Sequence, residues 1–210
     1  MKPEVKIITC PKCGAKTEFT MYPSFTASSN HDLREKFLDG SLTTLTCSSC
    51  GFSGAVEYPM LYHDLDDKFS IYFKPDTAER SVNLPNVLPA HLLGDMRLRL
   101  VHNQDDFREK IYIFRDKLDD RIIEVVKDAI LREMEAKKEE NIPDALYYAQ
   151  DSFACEGRSL IFVPRKGREY RDPIKIPFET YEKIKMLMHG IWERSVSEGY
   201  TVVDKEWIKA

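Results

Sequence analysis

Two short C-x-x-C-G turns constrain this chain more than any other feature of its sequence. They share the spacing of their cysteines and a following glycine: Cys10-Pro11-Lys12-Cys13-Gly14 and Cys47-Ser48-Ser49-Cys50-Gly51. Each C-x-x-C turn directs two thiolates at one ion, and two turns complete a tetrahedron of sulfurs ~2.3 Å from the metal. Glycine permits the positive φ that such a tight turn requires. The sequence therefore predicts one four-thiolate metal site.

The chemistry of four thiolates limits which metal can bind and which role it can have. Zinc and iron both bind four cysteines, iron in rubredoxin-like sites, and ligand chemistry and prevalence favour one zinc ion. Four protein thiolates leave no open position for water, so the predicted zinc is structural and not catalytic. Redox thiols are the alternative, but a redox C-x-x-C motif usually occurs singly at a helix start.

The fifth cysteine and the hydropathy pattern indicate the cellular compartment of the protein. An odd number of cysteines in a chain without a secretion signal argues against a disulfide framework. The opening residues Met1-Lys2-Pro3-Glu4-Val5-Lys6 contain no apolar run, and no segment approaches the ~18 apolar residues that a membrane span needs. We therefore expect a cytoplasmic protein that does not contact a membrane.

The charge distribution weighs against nucleic acid as the main partner. Residues 1–80 hold 9 Lys and Arg against 11 Asp and Glu, and residues 81–210 hold 22 against 24, which gives the net charge of −4. Nucleic-acid-binding proteins usually carry a basic excess because affinity comes largely from phosphate neutralisation. The balance favours a protein partner.

The first part of the chain predicts short strands, one helix and a hairpin. Strands are expected to enter and leave each cysteine turn, with 42–46 entering the second. Between the turns, Ser29 or Asn30 is placed to cap a helix that ends at Gly40. Alternating apolar residues in 56–62 and 69–73 predict a hairpin with an acidic tip at 64–67. Pro59 predicts that the first of its strands is an edge strand or carries a bulge.

The remainder predicts a mixed helix–strand domain. Prolines in 75–94 suggest a boundary, so we assign a zinc-ribbon domain to 1–80 and an α+β domain to 81–210. Strands are predicted at 96–101, 160–163 and 201–203. Helices are predicted after Asn103, over 119–140 and over 178–197, from apolar residues spaced three and four apart. The fold class is therefore α+β.

The cysteine turns, together with later segments, resemble the CpXC family of prokaryotic proteins. The similarity rests on the two turns, on the hairpin Tyr58-Pro59-Met60-Leu61-Tyr62-His63-Asp64 and, further on, on Arg97-Leu98-Arg99-Leu100-Val101, Glu109-Lys110-Ile111 and Leu118-Asp119-Asp120-Arg121. It covers residues 1–75 and extends to about residue 130. Ser48 in the second turn departs from the Pro11 of the first. The resemblance implies a zinc-binding fold and indicates no substrate.

Three other features could carry chemistry, and each has a simpler structural interpretation. His63-Asp64 could form an acid–base pair, but a solvated turn is favoured. Asp119-Asp120-Arg121 with Glu109 and Glu124 could form a carboxylate cluster, whereas helix capping and i,i+4 pairing explain these residues more simply. Cys155 could be a nucleophile, but no motif places a histidine beside it. No catalytic residue is therefore assigned.

The segment 158–175 is the most basic part of the sequence. A possible anion contact consists of Arg165, Lys166, Arg168 and Arg171. A charged, solvated loop is the favoured interpretation. The apolar face of the helix 178–197 is expected to belong to the core, and it would form a partner surface only where it is exposed.

These features favour a zinc-binding, non-enzymatic interaction or adaptor protein of the cytoplasm. A nucleic-acid-binding or regulatory zinc-ribbon protein is the first alternative. An enzyme whose site lies in the C-terminal domain is the second. The partner, the pathway and the oligomeric state do not follow from the sequence.

Overall fold

The fold is a mixture of helices and strands, as the sequence predicts. A computed structural model describes residues 2–84, 96–154, 157–188 and 199–209, and gives no side-chain description for 150–154. Cys155 and residues 85–94, half of the predicted boundary segment, lie outside the described residues. The chain divides into two compact units, Met1–Gln104 and Asp105–Ala210. The domain boundary near residue 80 concerns independent folding and stays a prediction.

Within its described residues, the first unit contains one short α-helix and a series of short strands. In chain order these are β1 (Glu4–Thr9), β2 (Lys16–Met21), β3 (Ser24–Thr26), α1 (His31–Leu38), β4 (Thr44–Thr46), β5 (Ser53–Ala55), β6 (Met60–Asp64), β7 (Phe69–Phe73), β8 (Ser81–Val82) and β9 (Arg97–Val101). β1 pairs antiparallel with β2, and β4 pairs antiparallel with β5. The strand predicted at 42–46 is shorter, because a 3₁₀ turn occupies Ser41–Thr43.

Four strands of this unit form its main sheet in the order β3-β6-β7-β9. The hairpin β6–β7 is confirmed, but β6 also pairs in parallel with β3 and is therefore not an edge strand. Pro59 precedes β6, so its missing N–H does not interrupt the ladder. All five residues of β6 are buried, so both of its faces are covered and the expected apolar-polar alternation is absent.

The helix between the cysteine turns follows the sequence prediction closely. α1 starts after Asn30 and ends before Gly40, which has the left-handed φ of 86°. The Asn30 side chain accepts a hydrogen bond from the Thr26 N–H at 3.2 Å and makes no cap bond to α1. Phe37 is fully buried and packs on Phe25 of β3, with ring centroids 5.9 Å apart.

The second unit contains helices around an antiparallel sheet. Its elements are α2 (Gln104–Arg115), which starts at the unit boundary, α3 (Asp120–Ala136), β10 (Ala145–Ala154), β11 (Gly157–Lys166), β12 (Glu169–Tyr170), β13 (Ile174–Pro177), α4 (Phe178–Met188) and β14 (Tyr200–Thr201). β11 pairs with β10, β12 and β13. The sequence predicted only the centre of β11 and missed β10. The basic segment is thus mainly strand, and the prediction of a solvated loop there was wrong.

The helices of this unit bury the apolar stripes that define them. Phe107, Ile111 and Phe114 of α2 are each at most 1% exposed. Asp119 caps α3 by accepting from the Arg121 N–H at 3.0 Å. In α4, by contrast, Leu187 is 76% exposed, so the expectation of a wholly buried face was wrong there. Residues 189–198 of the predicted helix lie outside the described residues.

Candidate metal centre

The backbone of the two cysteine turns has the same hydrogen-bond pattern in both. In the first turn, the Cys10 N–H donates to Ala15 O and the Gly14 N–H donates to Cys10 O, each at 2.9 Å. The second turn repeats these bonds, from the Cys47 N–H to Phe52 O at 2.8 Å and from the Gly51 N–H to Cys47 O at 2.9 Å. A strand enters each turn and another leaves it, so the antiparallel pairs β1–β2 and β4–β5 support the two turns in the same way.

The glycine after each cysteine pair is required by backbone conformation. Gly14 has a φ of +75° and Gly51 a φ of +68°. A Cβ atom built on either glycine would meet nothing within 4 Å. The constraint is therefore the left-handed φ itself, which other residues adopt only at a cost, and not a lack of space.

The fold brings the four sulfur atoms together from the two turns. The Cys10 and Cys50 sulfurs are 3.7 Å apart, as are those of Cys13 and Cys47, and all four lie within 4.8 Å of one another. A tetrahedron with metal–sulfur bonds of ~2.3 Å has sulfur–sulfur edges of about 3.8 Å. The described residues thus bring four thiols close enough together to hold one metal ion.

The site lies at the surface of the first unit. Cys10 and Cys47 are buried, Cys50 is half-buried and Cys13 is exposed. The first cysteine of each turn therefore faces the interior and the second faces outward. An ion held by all four would be shielded on one side by protein and on the other by the Cys13 and Cys50 side chains.

The two thiols of the second turn have pKa values that are shifted in opposite directions from the ordinary value of a cysteine. The N–H groups of Cys50 and Ser49 lower the pKa of Cys47 to about 6. The Phe52 N–H acts in the same direction on Cys50, but burial and the neighbouring thiols outweigh it and raise the pKa of Cys50 to about 12. Four ionised sulfurs at this distance repel one another, so the set needs a cation to become fully deprotonated.

His63 and Asp64 do not form the solvated turn that the sequence favoured. They are the last residues of β6 and are only 8% and 7% exposed. Adjacent strand residues point to opposite faces of a sheet, so the two side chains do not act as an acid–base pair. His63 Nδ1 lies 2.8 Å from Ser70 Oγ, and burial lowers the pKa of His63 to about 4. Asp64 accepts from the Asp67 N–H at 3.0 Å.

The carboxylates near Asp120 converge in the second unit on two lysines. We call the set the ion cluster: Glu109, Lys110, Asp120, Glu124 and Lys127. Lys110 Nζ is 3.0 Å from Asp120 and 3.4 Å from Glu124, and it donates to Val203 O at 2.9 Å. Lys127 Nζ is 3.0 Å from Glu109 and 2.9 Å from Glu124. The capping predicted for Asp119 is confirmed, but Asp120 and Glu124 form buried ion pairs with Lys110 and Lys127 and are not explained by i,i+4 pairing alone.

Burial of the ion cluster is nearly complete. Its carboxylates are at most 4% exposed, Lys110 is 2% exposed, and the Lys127 side chain is 13% exposed. A signal for this was present in the sequence. Lys110 follows Phe107 by three residues and precedes Phe114 by four, whereas Lys127 follows Ile123 by four residues and precedes Ile130 by three. A lysine inside an apolar stripe indicates a buried charge that needs a partner.

The basic residues proposed as an anion contact are partly engaged within the protein. Arg165 forms an ion pair with Asp105 at 3.1 Å and lies 5.2 Å from the centre of the Tyr147 ring. Arg171 donates to Asn141 O at 3.0 Å. Lys166 is half-buried and Arg168 exposed, at the turn between β11 and β12. An anion contact by these four residues stays a prediction.

Fold and site together define an α+β protein with a four-cysteine cluster that could hold a metal ion. A family model described as CpXC protein matches residues 8–127, which is more than half of the chain. The chain therefore belongs to the CpXC family. The matched segment includes all four clustered cysteines and the whole ion cluster. No curated protein and no solved structure matches the chain. Among the described helices, none is long and apolar enough to cross a membrane.

Proposed function

We propose that this CpXC protein binds one structural zinc ion and acts as a non-enzymatic interaction or adaptor protein of the cytoplasm. The ligands are Cys10, Cys13, Cys47 and Cys50, arranged as a zinc ribbon. One observation carries the proposal: four sulfurs from two distant turns lie within 4.8 Å of one another, with closest pairs at 3.7 Å. Iron fits the same geometry, and zinc is favoured because four-cysteine structural sites are typical of it.

The metal has a structural task in this part of the chain. Five of the six residues of β1 are exposed, and β4 and β5 have three residues each. Isolated two-stranded hairpins are at best marginally stable in water. A zinc ion bound by both turns would join the two hairpins covalently and fix their relative position. With four protein ligands it has no position for a substrate or a reactive water.

The surface beside this centre suits a protein partner better than a reaction. Val5 and Ile7 of β1 are 61% and 58% exposed and lie two residues apart, on one face of the strand. Exposed apolar residues on a two-stranded sheet favour contact with another protein. A zinc ion that rigidifies this sheet would preorganise the contact and so reduce its entropic cost.

The experiment combines metal analysis with partner capture. Protein purified without chelators should contain one zinc per chain and be colourless. Immobilised wild type, a Cys13→Ser variant and a doubly substituted Val5→Thr, Ile7→Thr variant are then compared as baits in extract of the source cell. Proteins retained by the wild type and lost with both variants support the adaptor role. Iron with visible charge-transfer bands would instead assign the protein to a redox class.

A further inference from the structure

A buried hydroxyl near the metal centre requires an explanation that the four cysteines alone do not provide. Thr17 lies on β2 between the exposed residues Lys16 and Glu18, and it is only 9% exposed. Its Oγ1 atom is shielded from solvent and forms no hydrogen bond with the described part of the chain. The side chain thus carries a polar atom into the interior without a formed bond to satisfy it.

Such an atom lowers stability unless a partner becomes available. Leaving a buried hydroxyl unpaired costs the free energy of removing it from water, with no hydrogen bond to offset that cost. Valine has almost the same shape, suits a strand equally well and would bury no polar atom. The unpaired hydroxyl of Thr17 is therefore a net cost, and it becomes favourable only when a neighbouring group accepts its proton in a hydrogen bond.

The neighbouring group is the sulfur of Cys47. The Thr17 side chain interacts with this thiol, and so do the backbone N–H groups of Cys50 and Ser49. The hydroxyl is thus placed next to the Cys47 sulfur, although it forms no full hydrogen bond to the neutral thiol. A thiolate accepts hydrogen bonds more strongly than a thiol, because hydrogen bonds to ionised acceptors are the stronger ones.

We propose that Thr17 is a positioning residue of the metal centre, whose hydroxyl donates a hydrogen bond to the Cys47 thiolate when the four cysteines hold zinc. The inference rests on the zinc site proposed above. The bond adds a side-chain donor to the backbone N–H groups that already face Cys47, and it withdraws charge from the sulfur while fixing its direction. Loss of such an outer contact typically weakens metal binding by ~10–100-fold.

Substitutions at Thr17 separate the hydroxyl from the rest of the side chain. Thr17→Val removes the hydroxyl and keeps the branched shape, whereas Thr17→Ser keeps the hydroxyl. Thr20→Val is the matched control, since Thr20 is an exposed residue of the same strand. Each full-length variant is titrated with Co²⁺, which reports sulfur ligation through its charge-transfer bands, and Zn²⁺ affinity is measured by competition with a chelator.

The expected result is a loss confined to the hydroxyl-free variant. Thr17→Val should bind one metal ion about 10-fold more weakly than the wild type and shift the cobalt charge-transfer band. Thr17→Ser and Thr20→Val should remain close to the wild type in both measurements. If Thr17→Val does not fold, Thr17→Ser and Thr17→Ala supply the same comparison, because they differ only in the hydroxyl.

The opposite results have distinct meanings. Wild-type affinity and an unshifted band in Thr17→Val would overturn the hydrogen bond while leaving the zinc site intact. Equal weakening in Thr17→Val and Thr17→Ser would also overturn it, since packing and not the hydroxyl would then control binding. A wild type that binds no zinc would refute the proposed function itself, before any variant is considered.

Discussion

The cysteine cluster of the first unit and the ion cluster of the second both gather acidic groups from distant positions, but they obtain their positive charge differently. In the ion cluster the chain supplies it, because Lys110 and Lys127 lie about 3 Å from their carboxylates. In the cysteine cluster the pKa values of Cys47 and Cys50, about 6 and about 12, show thiols that do not ionise together without help. The first unit would therefore need a cation from solution to ionise all four thiols, whereas in the second unit the chain itself supplies the positive charge.

Because of this difference, the two units should respond differently to metal removal and to acid. Metal removal should affect the first unit and leave the second intact. Acid should also affect the stability of the two units in opposite directions. In the first unit, protons compete with metal for thiolates. In the second unit, burial raises the pKa of Glu109 to about 7, so its protonation relieves excess negative charge in the ion cluster.

Loss of one ligand should produce the largest effect. Cys13→Ser or Cys50→Ser removes a thiolate, and structural zinc contributes ~10–16 kcal/mol in peptides that fold only with metal. We expect limited proteolysis of either variant to cleave residues 2–75 and to spare the helices and strands beyond 105. Cys155→Ser, which changes the cysteine outside the cluster, is the control. Cleavage spread evenly along the chain would mean that the two units unfold together and that the contrast is wrong.

Removal of one lysine from the ion cluster should have the next largest effect. Lys110→Met leaves Asp120 and Glu124 with less positive charge in a buried site, and breaking a buried ion pair in this way costs about 3–5 kcal/mol. Urea unfolding followed by peptide-resolved proteolysis should show the loss in the second unit while the zinc content stays at one per chain. Lys137→Met, at the exposed pair with Glu133, should produce no measurable change. Equal effects of the two substitutions would contradict the buried cluster.

The cysteine site could be predicted from the sequence because its information is local. Each turn fixes its own geometry through two cysteines and one glycine, and Gly14 and Gly51 adopt the φ that this requires. Beyond this local information, the prediction required one long-range assumption, namely that the two turns come together in space. The strand β10 was missed because its apolar residues have no clear period.

The ion cluster was harder to predict because the burial of a charge depends on packing. Asp120 and Glu124 look like a solvated first turn until α2 and the segment at Val203 cover them. Likewise, His63 and Asp64 seemed to be loop residues because polar side chains at a hairpin tip usually face water. Both errors concern which face of an element is covered, and sequence periodicity indicates this only where apolar residues surround the charge, as they do for Lys110.

The pH dependence of the second unit should change by a smaller amount in Glu109→Gln. Burial raises the pKa of Glu109 from 4.5 to about 7, with Lys127 and Lys110 opposing the rise, Glu124 adding to it and the Tyr148 N–H opposing it. The folded state therefore binds this proton more tightly than the unfolded state. The resulting stability is complete below about pH 4.5 and is lost as the pH rises through about 7.

Glutamine keeps the shape of the glutamate side chain, but its carboxamide does not titrate. The difference in unfolding free energy of the second unit between pH 5 and pH 8 should therefore shrink by on the order of 2 kcal/mol in Glu109→Gln. Urea titrations at both pH values measure it, with Glu139→Gln as an exposed control. Metal retention should weaken at the lower pH in every variant. A Glu109→Gln profile parallel to the wild type would show that Glu109 does not titrate in this range.

The smallest effect is expected for the basic residues at the β11–β12 turn. Lys166→Ala with Arg168→Ala removes two charges that no buried carboxylate requires, so neither the stability of the second unit nor its pH profile should change. If these residues contacted duplex DNA, the slope of log affinity against log salt would fall by about 0.9 per lost phosphate contact. We expect no measurable binding of the wild type to duplex or single-stranded nucleic acid at physiological salt, because the net charge of −4 repels a polyanion. Tyr170 is the one aromatic residue in the segment 165–171, too few for a base-stacking platform. Sub-micromolar binding by the wild type that weakens in this variant would replace the adaptor function with nucleic-acid binding and place the functional surface of the protein in the second unit.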